Sequence, residues 1–214
     1  MRQILRDNRL FIIIYLVFWV AATIVCIIYP KADVHLFLNQ YHCKAGDFLF
    51  KYLTYIGDGL FTLAVVVILL FIRFRYAMMV LAAYLSSGLL VQLMKRLVFT
   101  DSPRPVLYFR DIAELYLVPG IDLHSHYSFP SGHAASAFAL IVTFALVFRK
   151  KWAGILLLIL ACGVAWSRVY LSQHFLADII TGSMIGFLAA LVFYWYFHEL
   201  KKKWPDRSVI TLLQ

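Results

Sequence analysis

Two histidines in this sequence are spaced for work on an anion. His174 and Asp178 lie four residues apart, so on a helix they would share one face. The carboxylate would then accept the Nδ1 proton of the imidazole, fix its tautomer and leave Nε2 basic and free. Ser172 is placed to cap that helix, which would set His174 in its first turn. The stretch "PSGH", Pro130 to His133, repeats the pattern. Ser131 would be the cap, Gly132 would let a ligand approach the backbone closely, and His133 would follow in the first turn. A helix N-terminus presents unpaired N–H groups and partial positive charge, which together make an anion site. Lys95, Arg104 and Arg168 add formal cations, and the planar fork of arginine matches phosphate oxygens. A Ser-His-Asp arrangement with Ser131 as nucleophile is the weaker reading. So much positive charge suits a phosphate dianion better than a neutral ester, and the chain has no Gly-x-Ser-x-Gly elbow.

The elements that must position these groups are apolar. The chain is 63% hydrophobic and only 14% charged, far from the balance of a soluble domain. In lipid every backbone polar group must be satisfied internally, which leaves helices or a closed barrel. The apolar runs are continuous rather than alternating, which excludes the barrel. The expected fold class is therefore an all-α polytopic membrane protein, one domain over residues 1–214 with its chemistry within 95–178. Six transmembrane helices are predicted: 10–29, 59–72 (short unless it recruits 53–56), 76–98, 131–148, 152–171 and 175–197. Lys31 to Tyr55 mixes aromatics with charges and is expected to lie as helix in the outer interface. Thr100 to Phe129 is a loop of a length that is usually functional. Gly182 and Gly186 form a G-x-x-x-G helix-packing surface, within the chain or between chains.

The net charge of +9 fits cations flanking spans and calls for no nucleic acid. The N-terminus, Arg73, Arg75, Arg149 to Lys151 and the tail carry 12 Lys and Arg residues; the opposite side carries 8. By the positive-inside rule both termini are cytoplasmic and the histidine cluster faces the periplasm or exterior. Lys95, Arg104, His133, Arg168, His174 and Asp178 all fall near that outer face, at or beside the ends of four spans. Ionisable groups at membrane depth point to function. The three cysteines, Cys26, Cys43 and Cys162, give neither a disulfide framework nor a zinc signature.

"PSGH" and Ser167-Arg168-x5-His174-x3-Asp178 together resemble the second and third motifs of the type 2 phosphatidic acid phosphatase superfamily. The resemblance covers the third span to the sixth. It departs in the first motif, a lysine followed after six residues by Arg-Pro. Arg104-Pro105 would place that lysine at Leu97, whereas Lys95 stands two residues early and Arg96 one. A bulge before Pro103 would accommodate the difference; Lys95 is preferred and Arg96 stays open.

The resemblance implies a metal-independent membrane phosphatase with no cofactor. In it His174 attacks phosphorus to give a phosphohistidine, Asp178 orients it, and His133 protonates the leaving group and then deprotonates water. Lys95, Arg104, Arg168 and the backbone N–H groups of Ser131 and Gly132 would hold the phosphoryl oxygens. Implied substrates are lipid phosphates: undecaprenyl diphosphate, phosphatidylglycerophosphate or phosphatidate, or a phosphate of lipid A. The expected location is the bacterial cytoplasmic (inner) membrane. A lipid phosphotransferase using the same site is the alternative within the class; a non-catalytic anion-binding transporter or scaffold is the alternative outside it. His35 and His42 are expected as interfacial surface groups, Asp58 as turn chemistry, and Asp122, His124 and His126 as loop structure rather than a metal site. Oligomeric state is not legible.

Overall fold

The computed structural model describes residues 2–148, 150–202 and 204–213; Arg149 and Lys203, two of the flanking cations counted above, lie outside the described residues. The helices run in the order α1 (Arg2–Asp7), α2 (Arg9–Ile28), α3 (Lys31–Asn39), α4 (Lys44–Leu53), α5 (Gly59–Ile72), α6 (Phe74–Leu93), α7 (Pro105–Tyr108), α8 (Gly132–Phe148), α9 (Lys151–Tyr170), α10 (Leu176–Glu199) and α11 (Val209–Leu213). No strand occurs among the described residues.

Four of these are long and apolar enough to cross a membrane: α2, α6 with its continuation to Val98, α9 and α10. A fifth arises if α4 and α5 are one span broken by a bend of 57°. The break has a local cause. A tight 3-10 turn over Thr54–Gly57 ends at Asp58, whose backbone is extended and whose Oδ1 accepts the Leu60 N–H at 2.8 Å as the N-cap of α5.

The remaining apolar helix, α8, has 17 residues, about 26 Å at the usual rise. It is enclosed by its neighbours rather than set at the edge. Ala134, Ala135, Ala137, Phe138, Ala139 and Leu140 are all buried, and α6, α9 and α10 pack around it. Small side chains allow this close approach. On α10 the glycines are needed: a Cβ at Gly182 would collide with the Ser131 carbonyl, and one at Gly186 with the Ala135 carbonyl. The G-x-x-x-G surface thus packs within the chain, and it sets the register of α8 against α10. By contrast α2 lies at the periphery, with only Phe11 and Tyr15 buried along its 20 residues.

The segment from Lys31 to Tyr55 is helical as expected, but His35 is not a surface group. It is 2% exposed, stacked on Phe109 and edge-on to Phe175, with Nε2 3.3 Å from the Ser172 hydroxyl. His42 is also engaged: Nδ1 lies 2.8 Å from the Asn39 carbonyl and Nε2 2.9 Å from that of Tyr170. A mixed aromatic and charged pattern reads as interfacial, yet here the loop from Phe109 folds over it and buries one face.

Candidate active site

The chain leaves α9 through a tight turn that aims His174. The N–H groups of Gln173 and His174 both donate to the Arg168 carbonyl, at 2.9 and 3.0 Å. Ser172 takes a left-handed backbone with φ of 51°, uncommon for a residue with a Cβ. Its hydroxyl is 3.3 Å from both His35 Nε2 and Asn39 Nδ2, so α3 holds the turn in that shape. Ser172 is therefore not the cap of the following helix. That helix, α10, begins at Leu176 with Phe175 at its N-cap, and His174 precedes it.

The expected pairing forms even so. Nδ1 of His174 lies 3.2 Å from Oδ2 of Asp178, and that oxygen also accepts the Phe175 N–H at 2.9 Å and the Ser128 hydroxyl at 2.5 Å. His174 is 1% exposed. Burial, and then the charges of Arg104, Arg168 and Lys95, hold its pKa well below the ordinary imidazole value. A neutral ring that gives Nδ1–H to Asp178 keeps its lone pair on Nε2.

Three cations surround this ring, all buried. Arg104 is fixed by the long loop through backbone groups: its own N–H donates to the Ser125 carbonyl at 2.9 Å and its Nε to that of His126 at 3.0 Å. Its Nη1 donates to Gln173 Oε1 at 3.0 Å. Arg168 donates through Nη1 to the Thr54 hydroxyl at 2.7 Å and through Nη2 to the same Gln173 oxygen at 3.4 Å. Its Nε is buried and has no hydrogen-bond partner among the described residues. A buried donor without an acceptor is costly in a folded protein, so the geometry at Arg168 suits a further acceptor such as a phosphoryl oxygen. Lys95 sits in a wide π-type turn, Met94–Val98, that ends α6. This turn buries Lys95 while Arg96 and Leu97 stay exposed. Lys95, Arg96, Arg104, His124 and His126 line one open cavity of about 690 Å³.

His133 lies in the first turn of α8, beginning at Gly132, with Ser131 as its cap: Ser131 Oγ accepts the Ala134 N–H at 3.4 Å. The Ser131 N–H donates to the Asp178 carbonyl at 2.9 Å. That donor, expected to face a ligand, instead ties the start of α8 to α10. His133 Nε2 is 4.0 Å from Oδ2 of Asp58. The Asp122, His124 and His126 triplet does not converge: no group of three His, Cys, Asp or Glu side chains is placed to hold a metal ion among the described residues. Two of its members act through the backbone, since the Asp122 carbonyl accepts from Gln173 Nε2 at 3.0 Å and that of His126 from Arg104 Nε.

Sequence reading missed Ser128, Gln173 and Thr54. Each is an uncharged polar residue in no motif, and each reaches its partner across the fold. Their only sequence signal is proximity to a motif residue, for Gln173 beside His174 and for Ser128 two residues before Pro130.

An imidazole backed by a carboxylate, a second imidazole and three buried cations thus meet at one end of a bundle of apolar helices, an arrangement with the charge to bind a phosphate. Comparison with known proteins agrees: residues 76–202 match the PAP2 superfamily, and the chain belongs to that family. It is 33% identical over 89 residues to a lipid A 4'-phosphatase of Bacteroides thetaiotaomicron, a match covering 42% of this chain and 40% of the relative. It is 41% identical over 64 residues to a putative undecaprenyl-diphosphatase, YbjG, of Escherichia coli, covering 30% of this chain and 32% of the relative. The matches thus span less than half the length of these curated relatives. The crystal structure of a transmembrane PAP2-type phosphatidylglycerolphosphate phosphatase from Bacillus subtilis has the same fold, with a TM-score of 0.66 at 22% identity. The likeness covers 89% of this chain and 97% of that one. With these apolar helices, family membership makes the chain an integral membrane protein.

Proposed function

We propose that the chain hydrolyses the phosphate of a membrane lipid through a phosphohistidine on His174. The observation that carries this reading is the unpartnered, buried Nε of Arg168, beside a neutral imidazole whose other nitrogen is held by Asp178. In the first step the Nε2 lone pair of His174 forms a bond to phosphorus as the bond to the leaving oxygen breaks. His133, protonated, gives its proton to that oxygen. In the second step water attacks phosphorus, His133 takes its proton, and the N–P bond breaks to release inorganic phosphate. Lys95, Arg104, Arg168 and the Gly132 N–H hold the phosphoryl oxygens, and Ser131 caps the helix that carries His133. Charge stabilisation of this kind supplies most of the catalysis in phosphoryl transfer.

In this reading the unit is one domain with six spans, α5 as the short second one and α8 as the central one. The cation count supports cytoplasmic termini and a site at the outer face of the cytoplasmic membrane, with α3 and α4 in the outer interface. The names of the relatives support a phosphorylated lipid as substrate. The test is purified protein in detergent against undecaprenyl diphosphate, phosphatidylglycerophosphate, phosphatidate and lipid A, with free and transferred phosphate both measured, with and without EDTA. Release of free phosphate that persists in EDTA is expected. Phosphate moved only to a second lipid would make the chain a transferase, and neither product would leave the anion-binding alternative.

A further inference from the structure

Asp58 lies outside the residues that match the family, yet it faces the second histidine. The bend between α4 and α5 brings it there. The 3-10 turn before it packs directly on the start of α8: a Cβ on Gly57 would stand 2.9 Å from the His133 carbonyl oxygen and 3.3 Å from its Cβ. No side chain fits at 57 without pushing the turn away. The same turn delivers the Thr54 hydroxyl to Arg168 at 2.7 Å. One broken element therefore reaches two residues of the site at once.

The site around His133 holds three buried cations, Lys95, Arg104 and Arg168. Asp178 is engaged by His174, Ser128 and the Phe175 N–H. Asp58 is the carboxylate whose oxygen lies within 4.0 Å of the His133 imidazole. Its two oxygens divide the work, Oδ1 accepting the Leu60 N–H to cap α5 and Oδ2 facing His133 Nε2. An imidazolium has two N–H groups, so a carboxylate that steadies one leaves the other to be given away.

We infer that Asp58 is a positioning residue for the proton-donating step: it holds His133 as an oriented imidazolium that protonates the departing alkoxide. The inference rests on the phosphatase reading above. Each histidine then has its own carboxylate, Asp178 behind the nucleophile and Asp58 behind the acid, and the second comes from a part of the chain that the family match does not cover.

The test is leaving-group dependence. Asp58→Asn keeps the cap, because asparagine caps helices as well as aspartate, while removing the charge; Asp58→Ser does the same with a shorter side chain. A nitrophenolate leaves without a proton, whereas an alkoxide needs one. Asp58→Asn and Asp58→Ser are expected to lower kcat on dioctanoyl phosphatidate about 10- to 100-fold, a part of the roughly 100- to 10,000-fold that general acid catalysis contributes, and kcat on p-nitrophenyl phosphate less than about threefold. Equal loss on both substrates, as from a loosened fold, or no loss on either would overturn the assignment. Wild-type protein inert toward both would overturn the phosphatase reading and this assignment with it.

Discussion

Ser128 donates its hydroxyl to Asp178 at 2.5 Å, on the same oxygen that faces His174. The two residues are 50 positions apart, one at the end of the long loop and one in α10, and both are buried. The loop therefore does more than connect. It supplies a hydrogen bond to the carboxylate, and through the Ser125 and His126 carbonyls it clamps Arg104. Ser128→Ala should lower kcat about 10- to 100-fold, the value of one hydrogen bond to a charged group, with KM little changed. Steady-state kinetics on the preferred lipid phosphate check this.

The contact between α8 and α10 sets the spacing of the two histidines. Gly186→Val would drive a side chain into the Ala135 carbonyl and to within 2.9 Å of the Phe138 Cβ. Overpacking of this kind destabilises by about 1–3 kcal/mol, and activity should fall with it. Gly88→Ala is the control, since nothing lies within 4 Å of its added Cβ. Thermal melts in detergent should drop for the first and hold for the second.

Stability should depend on pH through His35. Burial lowers its pKa to about 4 in the folded chain, against an ordinary value of 6.5. Between those values the unfolded chain binds the proton and the folded chain does not, so stability falls as pH drops from about 6.5 to about 4. Above that window the contribution is complete. The size is up to about 3 kcal/mol, and His174, also held neutral, adds in the same direction. His35→Phe should flatten part of the slope in denaturation measured across this range, while releasing Ser172 and slowing turnover.

How much of this was legible in the sequence varied with the kind of signal. Continuous apolar runs gave the helices, because lipid leaves the backbone few choices. The pairing of His174 with Asp178 was legible from a spacing of four, although the reason was wrong: His174 lies before the helix, and the turn at Ser172 supplies the approach. Lys95 stands two residues early by the motif's count, and the wide turn at Met94–Val98 that buries it leaves no mark in composition. The burial of His35 is not legible because no periodicity reveals a loop folding over a helix that mixes aromatics with charges. Thr54 and Asp58 were invisible as site residues, since their role depends on a 57° bend and on contacts more than 70 residues away in sequence.

The central claim is that His174 carries the phosphoryl group. Rapid acid-free quenching of the wild-type protein with a ³²P-labelled lipid phosphate, followed by peptide mapping, tests it most directly. The label should sit on His174, be labile to acid and stable to base, and be absent from His174→Ala, which should not turn over. Label on Ser131, or continued phosphate release by His174→Ala, would contradict it.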